Sequence, residues 1–272
     1  ENPSGRWRRA PGTSRQHRPG HRPTPAQPPA RRSATRVLAA RYRDGLLGDA
    51  GGLLLLIGQA PLIGWLCTVV WGSIERDTPA LYFVLCLAAV WFGCINACRE
   101  IVKERAILER ERLFGLSTRD YVVSKALVLA GLGAVQVVLL QGTVEWQLSL
   151  RGPMPVEMLA LFGASLAGTG LGLVVSALAT TQERAVFAVP LLLLPQILFS
   201  ELAIPDTLYS DVVAAAEKAM PVHWAFRVFE ESASVEPSWL SVTLSLGVLF
   251  AMGIALVGAA MLAALPRREV VT

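Results

Sequence analysis

NACREIVKERAILERERLFG, residues 96–115, follows directly on PALYFVLCLAAVWFGCI, residues 79–95, a segment without a charge. From Arg99 to Arg112 the chain carries nine charges in fourteen residues, five basic and four acidic. A helix needs about 20 apolar residues to cross the hydrocarbon core of a bilayer. The boundary near Cys98 therefore reads as the point where a spanning helix leaves the membrane. Beyond it, Arg105 and Glu109 are four apart, while Glu100 and Lys103, and Glu109 and Arg112, are three apart. Such pairs stabilise an exposed helix by about 0.2–0.5 kcal/mol each. Ile101, Ile107, Leu108, Leu113 and Phe114 are embedded in the run. Such a helix can lie along the membrane face and still present charge to a docking protein. The plainer alternative is a solvated extension with no partner.

The rest of the chain repeats the apolar theme. Of 272 residues, 53% are hydrophobic and 17% charged, with a mean hydropathy of +0.47; a soluble domain is about a quarter charged. Uncharged stretches run 50–74, 78–98, 126–144, 158–182, 185–200 and 237–266. These predict an all-α polytopic membrane protein with six transmembrane helices, at about 52–72, 79–98, 123–144, 158–181, 185–201 and 239–265. The fifth, AVFAVPLLLLPQILFS (185–200), is short and holds Pro190 and Pro195.

Lys and Arg in the loops set orientation. With the N-terminus inside, the inner segments after the first span carry ten basic residues, from Arg99 to Arg268, and the outer loops four: Arg76, Arg151, Lys218 and Arg227. Both termini are expected in the cytoplasm. The net charge of +4 reflects this asymmetry and says little about nucleic acid; the partners expected include membrane lipids and no nucleic acid.

Residues 1–32 are rich in Pro and Arg, with Glu1 the only acid, and are expected to be a disordered cytoplasmic linker ahead of a permease domain at 33–272. SATRVLAARYRDGLLGDAGG (33–52) reads as an amphipathic helix in the headgroup plane, capped by Ser33, with Val37, Leu38 and Tyr42 on one side. The third outer loop, about 201–236, is long and acidic. Within it SDVVAAAEKAM (210–220) reads as a helix capped by Ser210 and stopped by Pro221, so half-helices dipping back toward the membrane are expected.

No phosphate-binding loop, nucleophile elbow or paired-Cys metal motif occurs, so catalytic and metal residues are both expected to be none. Cys67, Cys86, Cys94 and Cys98 fall in or beside spans and read as packing residues. Intramembrane polar groups are the default functional candidates because they are costly there. They are Gln59, Asn96, Gln136, Gln141, Thr169, Ser176 and Gln196, with Glu201 at an outer boundary, and for each amide an interhelical hydrogen bond is the plain alternative. No carboxylate, Lys or His lies mid-span, which leaves an ATP-independent, ion-coupled carrier nothing to run on. Glycines 163, 168, 170 and 172 in FGASLAGTGLG read as positions of close helix approach.

At these residues the sequence resembles the permease domain of ABC transporters of the G (White-type) subfamily, a branch of the type-2 ABC exporters. The carrying pattern is Glu104, Arg105, Arg110, Glu111 and Arg112, then Gly115, then Tyr121 and Lys125. GLGLVVSALATTQERAVFAVPLLLLPQILFS (170–200) and MPVHWAF (220–226) are similar to later segments of that family. Glu201 stands where members often have Gly, and the outer loop lacks the cysteines of animal relatives, which is the bacterial pattern.

The resemblance implies that 99–115 docks on a nucleotide-binding domain, with Glu104, Arg105, Glu109, Arg110, Glu111 and Arg112 carrying the coupling. Residues 33–47 would be the connecting segment. Two copies would pair around a path between the second and fifth spans, with Asn96, Gln196, Phe199 and Glu201 along it. ATP and Mg would sit on the partner domain, commonly fused upstream, which makes the Pro/Arg tail a seam. The function implied is an ATP-driven exporter of a lipophilic or amphipathic substrate in the cytoplasmic membrane. The rival is a non-transporting scaffold whose charged helix recruits a partner.

Overall fold

The computed structural model describes residues 31–72, 78–200, 202–203 and 210–265. The tail 1–30 and Glu201 lie outside the described residues. Among those described, every regular element is helical: α1 (Arg31–Gly48), α2 (Ala50–Trp71), α3 (Pro79–Ala97), α4 (Arg105–Leu113), α5 (Thr118–Glu145), α6 (Met154–Leu178), α7 (Gln182–Leu198), α8 (Asp211–Lys218), α9 (Pro221–Ala233) and α10 (Trp239–Ala263). A 3-10 turn, Val102–Glu104, leads from α3 into α4.

Local chemistry sets the boundaries. Thr78 caps α3 by accepting from Leu81 N, with Pro79 opening the helix. Thr181 caps α7 through Arg184 N, and Ser210 caps α8 through Val213 N. Pro221, expected to stop α8, instead opens α9. α4 closes on Gly115 at φ +92°, where Gly115 N donates to Arg112 O at 2.9 Å and Leu116 N to Glu111 O at 3.2 Å. That bond pair needs a left-handed residue, which glycine supplies without steric cost.

Among the described residues, five helices are long and apolar enough to cross a membrane: α2, α3 with its extension into α4, α5, α6 and α10. The expected fifth span is α7, which at 17 residues is about 26 Å long, short of a ~30 Å hydrocarbon core. α1 begins at Arg31, two residues ahead of the expected Ser33 cap. It packs on α5, with Tyr42 turned inward and Val37 66% exposed, so Val37 does not share the buried side.

α6 is the hub, lying between α3 and α10. A Cβ on Gly168 would stand 2.2 Å from Val90 O, and one on Gly93 2.1 Å from Ser165 O, so α3 and α6 meet backbone to backbone. Gly172 likewise meets the Cys94 carbonyl, while Gly163 and Gly170 make room for the side chains of Leu249 and Leu256 on α10. All four cysteines are buried free thiols. α9 packs on α3, α6 and α10, burying Val222, Phe226 and Phe229. A second apolar cluster, around Ala97, Ile101, Leu108, Tyr121 and Leu173, lies under the charged run.

Candidate functional site

Three elements converge where α3 ends. Ile101 N and Val102 N both donate to Ser176 Oγ, at 2.8 and 3.0 Å, in the last turn of α6. Arg105 Nη2 donates to Ala177 O at 2.7 Å, and Arg112 Nη2 donates to Ala264 O just past the end of α10. The last carbonyls of a helix have no partner within it, and a cation there also meets the negative end of the helix dipole. Two arginines of the charged run thus cap the ends of α6 and α10. Of the intrahelical pairs read from spacing, Glu100–Lys103 forms; Arg105 and Arg112 are drawn to these carbonyls instead.

The carboxylates of the run reach the other way. Glu104 Oε2 accepts from Tyr121 OH at 2.9 Å and lies 2.9 Å from Lys125 Nζ. Glu100 Oε2 holds the same nitrogen at 3.1 Å. Lys125 is 2% exposed, with the Tyr42 ring centroid 4.1 Å from its Nζ. Glu111 takes Arg41 of α1 at 2.8 Å, and Thr35 Oγ1 donates to Asp120 at 3.0 Å. The hydrogen bond from Arg41 to Glu111 pushes the guanidinium further above its usual range. Burial, then the nearby Glu100 carboxylate, push the Tyr42 hydroxyl up. Both therefore keep their protons throughout the physiological range.

The six residues implied for coupling divide. Glu104, Arg105, Glu111 and Arg112 tie α4 to α5, α6, α1 and α10. Glu109 and Arg110 are exposed, as are Leu113 at 86% and Phe114 at 87%. One side of α4 is anchored in the bundle, and the other offers charge and an apolar tip.

The residues implied for a path fall in two places. Asn96 Nδ2 donates to Gln136 Oε1 at 2.6 Å, and Gln136 Nε2 to Leu56 O at 2.6 Å, a clamp across α3, α5 and α2. Gln196 and Phe199 lie elsewhere, on a small cavity shared with Phe83, Glu217 and His223.

The model of the family described as ABC-2 type transporter matches residues 31–232. The chain belongs to this family. It is also 27% identical over 144 residues to the ABC transporter ATP-binding/permease protein Rv1747 of Mycobacterium tuberculosis, a match covering 50% of this chain and 17% of that relative. The protein is thus a multi-pass, all-helical ABC-2 membrane domain, as the resemblance implied.

Two features of this ABC-2 membrane domain escaped the sequence reading. In sequence Lys125 stands out only as part of a motif, although Tyr121 and Lys125 are four apart and so share a helix face. Glu157, in the first turn of α6, is fully buried and accepts from Gln141 Nε2 at 2.6 Å. A carboxylate beside a span's end looks interfacial in sequence, and nothing local marks it as buried.

Proposed function

We propose that this domain is the transmembrane part of an ATP-driven exporter of the G type, moving a lipophilic or amphipathic substrate across the cytoplasmic membrane. ATP and Mg bind a nucleotide-binding domain that docks on the outer side of α4 through Glu109, Arg110, Leu113 and Phe114. Both termini lie in the cytoplasm, and a second copy completes the path. The observation that carries this reading is the anchoring of α4 into the ends of α6 and α10 by Arg105 and Arg112. A partner that displaces α4 moves those two ends with it. The name of the Mycobacterium relative, an ATP-binding/permease protein, supports a fused nucleotide-binding domain.

Coupling requires that the partner bind one arrangement of the spans better than another. Closure of ATP-bound partner domains would favour the outward-open arrangement. A hundredfold shift requires about 2.7 kcal/mol of differential binding, well within what a docked helix can supply. Spans with few polar side chains support a lipophilic or amphipathic substrate.

The test is ATP-dependent movement of a short-chain fluorescent phospholipid analogue in proteoliposomes holding the complete gene product. Vanadate-sensitive movement that the double reversal Glu109→Lys/Arg110→Glu lowers at least tenfold is expected. Movement indifferent to ATP would bring the ATP-independent carrier forward. A partner lost on charge reversal with no flux to lose would be the scaffold's signature.

A further inference from the structure

At the end of the bundle opposite the charged run, α8 and α9 bring a carboxylate and an imidazole together out of solvent. His223 stands in the first turn of α9 and Glu217 near the end of α8. Their side chains are 5% and 4% exposed, and His223 Nδ1 lies 3.2 Å from Glu217 Oε1. The carboxylate accepts from Nδ1–H, a contact that sets which way the two ring nitrogens face. Nε2 is then left with its lone pair outward. Among the described residues this buried atom has no hydrogen-bond partner.

Its surroundings limit what the partner can be. His223 and Glu217 line a cavity of about 10 Å³ together with Phe83, Gln196, Phe199 and Phe226. That is room for one group of the size of a water. Gln196 is engaged, its Oε1 accepting from Val222 N at 3.4 Å. Trp224 stands edge-on to the imidazole at 5.1 Å. Ser200 and Met220 complete the lining, so beside three phenylalanines the space suits a single hydroxyl whose apolar stem would lie outside it. Buried polar atoms are nearly always partnered, and a passing cargo would satisfy this one only transiently.

We propose that His223 is a specificity-determining residue of the transport path, its Nε2 accepting a hydrogen bond from the one hydroxyl of an amphiphilic cargo leaving between α3, α7 and α9. This rests on the export reading and narrows its substrate class to single-hydroxyl amphiphiles of the fatty-alcohol kind. Glu217 acts through His223 as a positioning residue, holding the ring so that Nε2 faces the cavity.

The experiment uses the complete gene product in lipid nanodiscs and follows tryptophan emission, with Trp224→Phe and empty discs as controls. The probes are 1-dodecanol and 1-methoxyundecane, which match in heavy atoms but differ in the donor. The alcohol is expected to bind about tenfold tighter, the scale of one buried hydrogen bond. His223→Leu should erase the preference while ether binding persists, and His223→Gln, which keeps an acceptor, should retain part of it. Equal affinities in the wild type, a preference surviving His223→Leu, or no saturable change with either probe would overturn the assignment. Vanadate-sensitive ATPase activity in the same sample separates the two readings. A lost preference with hydrolysis intact sinks only the role of His223, and a preference without hydrolysis sinks only ATP-driven export.

Discussion

Lys125 exposes 2% of its surface, yet its Nζ meets Glu100 at 3.1 Å and Glu104 at 2.9 Å. Removing one member of a buried ion pair leaves the rest uncompensated, at a cost of about 3–5 kcal/mol. Lys125→Met should therefore lower stability by about 3 kcal/mol, the low end because Glu104 keeps a quarter of its side-chain exposure. Thermal unfolding in detergent would read it, and an unchanged transition would remove Lys125 from the structural account. The Arg41–Glu111 pair is the contrast, with side chains 57% and 29% exposed. Exchanging its charges, Arg41→Glu with Glu111→Arg, should change stability by less than about 1 kcal/mol. The sequence carried the alternation of charge in 99–112 plainly, and spacing assigned it to pairs within the helix. It could not tell that Arg105 and Arg112 would find carbonyls in α6 and α10, because those partners are 72 and 152 residues away.

At the scale of elements, α6 sits between α3 and α10 because its glycines leave no side chain in the way. Gly168→Ala would force a methyl to within 2.2 Å of Val90 O, and overpacking of this kind costs about 1–3 kcal/mol or more. Gly258→Ala in α10 meets nothing within 4 Å and should be neutral or stabilise by up to about 1 kcal/mol through helix propensity. Paired melts of the two variants check the sign of each effect, and equal melts would contradict backbone contact between α3 and α6. The stretch FGASLAGTGLG foretold close packing correctly, since small residues at such spacing have few other uses inside a membrane bundle. α7 was harder. Its apolar run ends within 17 residues, and sequence alone does not reveal that its far end leans on α9 through Gln196 and Val222. α9 itself, PVHWAFRVFEESA, carries three charges and a His. Only its position against α3, α6 and α10 explains why Val222, Phe226 and Phe229 are buried.

Among the described residues several helices leave apolar faces uncovered, and the one on α7 is periodic. Phe187, Leu191, Leu194 and Leu198 of α7 are 76%, 67%, 49% and 61% exposed, spaced by four, three and four residues, the interval of a helix–helix seam. A second copy pairing there would place the two paths side by side. Leu191→Cys should then give a disulfide-linked dimer on mild oxidation in membranes, the native cysteines being buried. Failure of cysteines anywhere along this stripe to cross-link would exclude that seam. Topology at this scale is legible in the sequence for five of the six apolar stretches, which are long and bounded by charge. Assembly is not, since a face toward lipid and a face toward a partner helix are equally apolar.

The central claim is that the charged run joins these helices to an ATPase. Its most direct measurement is vanadate-sensitive ATP hydrolysis by the complete gene product in lipid nanodiscs, wild type beside Glu109→Lys/Arg110→Glu. Both residues are exposed and belong to no tie within the bundle described above, so the reversal leaves the fold intact while changing what α4 offers a partner. The account predicts hydrolysis in the wild type and a several-fold change in the variant at unchanged thermal stability. No hydrolysis in a folded sample, or hydrolysis that the reversal does not touch, would contradict it.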